Sequence, residues 1–418
     1  MNLYDHQQKI VKEDPDRTGI FLGTGSGKTR IALLLARGST LVICPKTQKE
    51  DKNWEKEWAK LVKDNLVHLG TQIVTISKET FRRDWRKLPK FNTIIVDEVH
   101  TCLGVTPNLR WRNKQQIPKA SQLFEALDSY IACSAPERLY LVTATIMRSP
   151  MTVWAAGKLL GRAWNFYAWR QAFYVKLPMP GREVWAPKTD SNTKDRLAAV
   201  VRNIGYVGRL EDFFDVPEQT HKVEFLELTE EQKKRIKELP LEFPEPIVLL
   251  GKKHQVENGI LAGDEFNPGE VFSSEKIDRL EDYMLEFPRL IVFAKYTQQI
   301  VQIAARAAKI KKKIFILNGA TRDKGALLDE AKKCDDYIFI AQAEVSAGWE
   351  LPNCPVMIFA SKTYSFVDYD QAIGRIQRGN NIKKNLYIHL VVKGGIDEAV
   401  HETVEQKKDF NERIYLNV

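Results

Sequence analysis

Gly23-Thr-Gly-Ser-Gly-Lys-Thr29 lies between an apolar run, Gly19-Ile-Phe-Leu22, and a helix-like one, Ile31 to Ala36. That context reads as strand, phosphate-binding loop and helix. Glycines let successive backbone N–H groups turn toward phosphate oxygens, Lys28 reaches the outer phosphates, and the Thr29 hydroxyl suits Mg²⁺ at a positive helix N-terminus. Thr24, Gly25, Ser26 and Gly27 complete the cradle, and ATP is the ligand it predicts. The strict pattern wants Gly at position 22, where this chain has Leu.

Outward from the loop, short runs rich in Val, Ile and Leu recur at Gly19–Leu22, Leu41–Cys44, Gln72–Ile76, Thr93–Val96 and Leu139–Val142. They are continuous, as in strands buried on both faces of a parallel sheet. Helical stretches lie between several of them; in Lys49–Leu61, Trp54, Trp58 and Leu61 share one face. A second series follows at Leu290–Phe293, Ile314–Leu317, Tyr337–Ile340, Val356–Phe359 and Leu386–Leu390. The expectation is α/β with two similar parallel-sheet lobes, residues 1–150 and 254–418. Between them, 151–253 changes composition, with aromatics crowded from Trp154 to Trp185 and prolines at Phe243-Pro-Glu-Pro246. This stretch reads as a helical insertion and connector, its aromatics forming core, with stacking on nucleic-acid bases as the alternative.

With 418 residues, 44% hydrophobic and 28% charged, the chain is long enough for more than one core. The first residues lack a basic-then-apolar leader pattern, and no apolar run approaches the roughly 20 residues that span a bilayer. No membrane role and a cytoplasmic location are expected. The five cysteines are scattered, which argues against zinc or a disulfide framework and for reduced, buried thiols. A net charge of +9 favours a polyanionic partner.

Thr93-Ile-Ile-Val96 runs into Asp97-Glu98-Val99-His100. A carboxylate at a strand end beside a phosphate loop can hold Mg²⁺ through water, and the next can orient and deprotonate an attacking water. Asp97 takes the metal role and Glu98 that of the base. Late in the chain, Gln371, Arg375 and Arg378 of Gln371-Ala-Ile-Gly-Arg-Ile-Gln-Arg378 fall at i, i+4 and i+7, so a helix would present them on one face. Two guanidiniums there suit a γ-phosphate.

In this order the motifs resemble the superfamily 2 helicases and translocases, and within them the Swi/Snf-type ATPases. Leu3-Tyr-Asp-His-Gln7 is similar to the element whose glutamine reads adenine. Leu41-Val-Ile-Cys-Pro45 with Asn53–Trp58, and Val74–Ser77 with Glu79–Phe81, resemble elements that touch the nucleic-acid backbone. Asp97–His100 resembles the acid box and Leu141-Val-Thr-Ala-Thr145 the coupling motif. Arg209–Pro217 and Leu228–Gln232 are similar to the family's connector, and Val292–Lys295, Ser346–Leu351 and Gln371–Arg378 follow in sequence. Trp349 stands where the family has a smaller aliphatic residue, and Ile146 follows Thr143-Ala-Thr145 without the Gly and Pro of many Swi/Snf members.

The resemblance implies two RecA-like lobes facing each other across a cleft, with ATP and Mg²⁺ held by the first and sensed by Arg375 and Arg378 of the second. It implies coupling through His100, Thr143, Thr145 and Gln371, and backbone contacts at Pro45, Lys46, Ser77, Ser346 and Gly348. The expected activity is a nucleic-acid-stimulated ATPase that moves along DNA, duplex favoured, with action as a monomer compatible. The compact layout suggests a prokaryotic or viral form. The alternatives are a strand-separating or branch-remodelling DNA helicase, an RNA helicase, and a nucleotide-gated DNA-binding scaffold that never moves.

Overall fold

A computed structural model describes residues 3–112, 115–178, 184–214, 219–263, 269–342, 349–351, 353–376 and 384–406. The chain divides into two compact units, Met1–Phe214 and Asp215–Val418.

The first unit runs α1 (Asp5–Glu13), β1 (Arg17–Leu22), α2 (Lys28–Leu35), β2 (Ser39–Cys44), α3 (Lys46–Glu50), α4 (Asn53–Lys63), β3 (Gln72–Ser77), α5 (Lys78–Asp84), β4 (Thr93–Val96), β5 (Val105–Arg112), β6 (Gln115–Ala120), α6 (Gln122–Ser134), β7 (Arg138–Val142), α7 (Pro150–Leu159), α8 (Phe166–Phe173), β8 (Tyr174–Leu177), β9 (Val184–Pro187), α9 (Ser191–Ile204) and β10 (Gly205–Gly208). Its main sheet has the order β10-β1-β7-β4-β2-β3, every pairing parallel. Alternate residues feed two cores, as strands covered on both faces require. Phe21, Leu41, Ile43, Ile94 and Leu141 point to one; Ile20, Leu22, Val42, Ile95 and Val142 point to the other. The edge strand β10 joins through a glycine pair, because a Cβ on Gly205 would stand 2.5 Å from the Gly19 carbonyl oxygen.

The second unit runs β11 (Thr220–Leu226), α10 (Glu230–Glu242), α11 (Pro246–Glu257), β12 (Ile260–Leu261), β13 (Glu270–Val271), α12 (Glu275–Glu286), β14 (Arg289–Ala294), α13 (Thr297–Lys309), β15 (Lys313–Leu317), α14 (Lys324–Lys332), β16 (Tyr337–Gln342), β17 (Val356–Phe359), α15 (Phe366–Ile373), β18 (Leu386–Val392) and α16 (Ile396–Glu405). Its sheet, β11-β18-β17-β14-β16-β15, is again parallel throughout. Two parallel sheets with helices are the α/β lobes that the apolar runs anticipate.

The stretch 151–253 is divided between the units rather than standing apart. β10 completes the first sheet and β11 the second. It is also less helical than expected, since β8 and β9 form an antiparallel hairpin within it. Trp154, Phe166, Trp169, Phe173 and Tyr174 are buried in the first unit's core, as expected, whereas Trp164 and Trp185 are half-buried and Tyr167 is exposed. Cys44, Cys102 and Cys354 are buried free thiols, whereas Cys133 is exposed. Among the described residues, no helix is long and apolar enough to cross a membrane.

Candidate active site

The loop after β1 turns with Gly25 and Gly27 at φ +85° and +81°. Glycine adopts these angles without the Cβ penalty. At Gly27 a Cβ would also stand 2.2 Å from Gln7 Nε2. Helix α2 starts at Lys28 with Gly27 as its N-cap, so its first N–H groups, which have no intrahelical acceptor, lie at the loop. Lys28 Nζ donates to the Gly23 carbonyl at 3.0 Å, and Ser26 Oγ donates to the same oxygen at 2.8 Å.

Helix α1 braces this loop. Gln7 Nε2 donates to the Ser26 carbonyl at 3.2 Å, and His6 Nε2 lies 2.9 Å from the same oxygen. Gln7 Oε1 accepts from the Tyr4 N–H, and the residue is buried. The side chain expected to read adenine therefore has its amide turned to the loop. His6, which the sequence did not single out, stacks on Phe213 at 4.2 Å.

Strand β4 ends at the acids. Glu98 adopts φ 43° and ψ 48°, a left-handed conformation that costs a non-glycine residue on the order of 1–3 kcal/mol. The buried Lys78 holds the turn, its Nζ donating to the Glu98 carbonyl at 2.8 Å and to Thr101 Oγ1 at 2.6 Å. Asp97 is buried, with Oδ1 accepting the Glu98 N–H at 2.9 Å and Oδ2 the Trp54 indole N–H at 3.2 Å. From the neighbouring strand end, Thr143 Oγ1 lies 2.7 Å from His100 Nδ1 and donates to Glu98 Oε2 at 3.3 Å. It also accepts the Thr145 N–H at 3.1 Å. Asp97, Glu98, His100, Thr143 and Thr145 thus form one connected group.

Burial and then the neighbouring Glu98 push the Asp97 carboxyl above the usual carboxylate range. Burial would raise Glu98 too, but its hydrogen bond and charge interaction with His100, followed by the charges of Lys28 and Lys78, bring it well below. Glu98 is therefore ionised at neutral pH, and Lys28 is near enough to act on it. An all-oxygen set of Thr29 hydroxyl and carboxylate suits a hard divalent cation, so these residues fit Mg²⁺.

Trp54 and Lys78 are site residues that sequence reading missed. Trp54 counted only as an apolar helix position, and a lysine in a helix's first turn carries no local sign of burial.

Of the expected backbone contacts, Pro45 caps α3, and Lys46 is exposed with Glu50 at 3.7 Å. Ser77 is buried and caps α5, its Oγ accepting the Thr80 N–H at 3.2 Å. Gln371 is half-buried in α15. That helix ends at Ile373, so Arg375 lies beyond it and the helical face predicted to join Gln371 to Arg375 is not continued. The break follows from bonding at Gly374: its N–H reaches Asp370, the Arg375 N–H reaches only back to Ala372, and the last turn tightens. Arg375 is buried in that turn, with Nη1 donating to the Trp349 carbonyl at 3.0 Å. Trp349 itself packs between Phe293 and Phe339, so the unusual residue is a core anchor whose carbonyl holds the arginine. Arg378, Ser346 and Gly348 lie outside the described residues.

No protein-family profile matches the chain. A stretch of 116 residues is 34% identical to the probable helicase D10 of Escherichia phage T5, covering 25% of this chain and 26% of that protein. Among solved structures, the Sulfolobus solfataricus SWI2/SNF2 ATPase core in complex with dsDNA is similar at 17% identity over 97% of this chain and 91% of that one, with a TM-score of 0.39. By the order of its motifs, and by the two parallel sheets that carry them, the chain resembles the superfamily 2 ATPases of Swi/Snf type.

Proposed function

We propose that this chain is a DNA motor of superfamily 2 that hydrolyses ATP to move along DNA, with duplex favoured. One observation carries the reading: an ionised Glu98, fixed in a strained turn by Lys78 and bonded to Thr143, stands where the charge of Lys28 acts on it. The partial likeness to a protein named as a probable helicase and the chain's +9 charge support it.

In this reading the N–H groups of Thr24 to Thr29 and the Lys28 ammonium bind the ATP phosphates. Glu98 orients a water and accepts its proton as the water attacks the terminal phosphorus, and the bond to the ADP oxygen breaks. Arg375 and Arg378 stabilise the charge that develops on the phosphoryl oxygens. Thr29, and Asp97 through water, would hold Mg²⁺, which would supply further neutralisation of the phosphates. The Thr143 hydroxyl links the base to His100, and Thr145 and Gln371 extend that link toward the strand contacts. Pro45, Lys46, Ser77, Ser346 and Gly348 touch the sugar-phosphate backbone, which gives little sequence specificity and a steep salt dependence.

ATP turnover on duplex DNA, single-stranded DNA, branched DNA and RNA tests this. Duplex should stimulate most. Greatest stimulation by single-stranded or branched DNA, or by RNA, would instead support the corresponding helicase. ATP-dependent retention on DNA without triplex displacement would favour a static scaffold.

A further inference from the structure

The first unit carries two β-hairpins outside its parallel sheet, β5/β6 and β8/β9. Arg170 of α8 ties them together. Its Nη1 donates to the Pro107 carbonyl of β5 at 3.0 Å, and its guanidinium lies 4.2 Å from the centre of the Trp185 ring of β9. Alternation along β5 puts Leu109 and Trp111 on one face, opposite Pro118 and Gln116 of β6. Arg110 and Arg112 take the other face, where both meet Glu125 of α6.

An open cavity of about 540 Å³ lies on the Trp111 side, lined by Asn108, Leu109, Gln116, Tyr167 and Arg170. Trp111 is 72% exposed and Tyr167 45%. The described residues of 105–120 and 165–188 include Arg110, Arg112, Lys119, Arg170, Lys176 and Lys188, and no Asp or Glu. Glu125 meets Arg110 and Arg112 and stands between their two guanidiniums.

A basic surface suits a polyanion, but charge alone would not leave an indole in water. Two exposed aromatic rings among cations suit bases whose flat faces are accessible, and side-chain amides match the polar edges of bases. The cavity is in the size range of small-ligand sites, enough for a nucleotide. Bases inside a duplex are stacked on one another and cannot enter.

We propose that this face is a second nucleic-acid contact that takes an unpaired base into the cavity against Tyr167 and Arg170, while Trp111 stacks on its neighbour in the strand. The assignment rests on reading the chain as a nucleic-acid motor and adds the class of strand, unpaired, that this face grips.

Fluorescence anisotropy without nucleotide, using a labelled oligothymidylate of about 20 nucleotides and a duplex of the same length, tests it. Trp111→Ala and Tyr167→Ala should each weaken single-strand binding about 5- to 100-fold, with duplex binding changed less than about twofold. Trp111→Phe should retain most of the affinity, and basal ATP turnover should stay at the wild-type level in all three. Unchanged single-strand affinity in both alanine variants, or equal losses on both probes, would overturn the proposal while leaving the motor reading intact. Wild-type protein that binds neither probe would remove the motor reading as well.

Discussion

The two sheets are built alike and handle buried charge differently. In the first unit, Asp97 and Glu98 sit together at a strand end, where burial and the charge of Glu98 raise Asp97, and the charge of a lysine on the phosphate loop acts on Glu98. In the second, Asp397 lies among α11, α12 and α16 with its partners supplied from within. Lys276 Nζ donates to Asp397 Oδ2 at 2.8 Å and to Asn258 Oδ1 at 2.6 Å. His254 Nε2 lies 3.2 Å from Asp397 Oδ1, and the Val392 N–H donates to Oδ2 at 2.9 Å. Burial would raise Asp397, yet the charge of Lys276 and the bond from His254 hold it well below the usual range. The Asp397 network locks α11, α12 and α16 together, whereas the acids of the first unit stand where the phosphate loop's lysine acts on them.

Arg375 challenges that division most strongly, because it is buried in the second unit and bonded to Trp349 yet is assigned to chemistry. Arg375→Ala should lower kcat by about 10³- to 10⁵-fold with ATP affinity little changed. Equal loss of affinity and rate, measured by nucleotide binding and steady-state turnover, would make it a structural residue that holds the Trp349 carbonyl. Next in size, Asp397→Ala strands the Lys276 ammonium and should destabilise the protein by about 3–5 kcal/mol in urea unfolding. A loss below about 1 kcal/mol would show that the network is not a lock.

A smaller effect concerns Glu257, whose carboxylate accepts the Ile396 and Asp397 N–H groups at the start of α16. Burial and then the charge of Asp397 push it up to about 7. The folded state therefore binds this proton more tightly than the unfolded chain, so its contribution is full below the ordinary value of 4.5 and is lost as pH rises through about 7. Glu257→Gln should flatten that fall, gaining on wild type by about 1–3 kcal/mol between pH 5 and pH 8. Parallel urea-midpoint profiles for the two proteins would contradict the assignment.

The sheet strands were legible because they are buried on both faces and read as unbroken apolar runs. The hairpins were not: Val105-Thr-Pro-Asn-Leu-Arg-Trp-Arg112 mixes polar and apolar residues at a surface, and the edge strand β11 is largely exposed. Lys49–Leu61 reads as one helix but divides at Lys52, whose φ of 52° no periodicity signals. At the site, the loop and acids announce themselves by spacing. Trp54 and Lys78 do not, since each acquires its role from a partner 20 or more positions away, Asp97 in one case and Glu98 in the other.

ATP binding and single-turnover hydrolysis by Glu98→Gln test the central claim most directly. The account predicts ATP affinity within about threefold of wild type and hydrolysis slowed about 10²- to 10⁴-fold. Hydrolysis at the wild-type rate would contradict it.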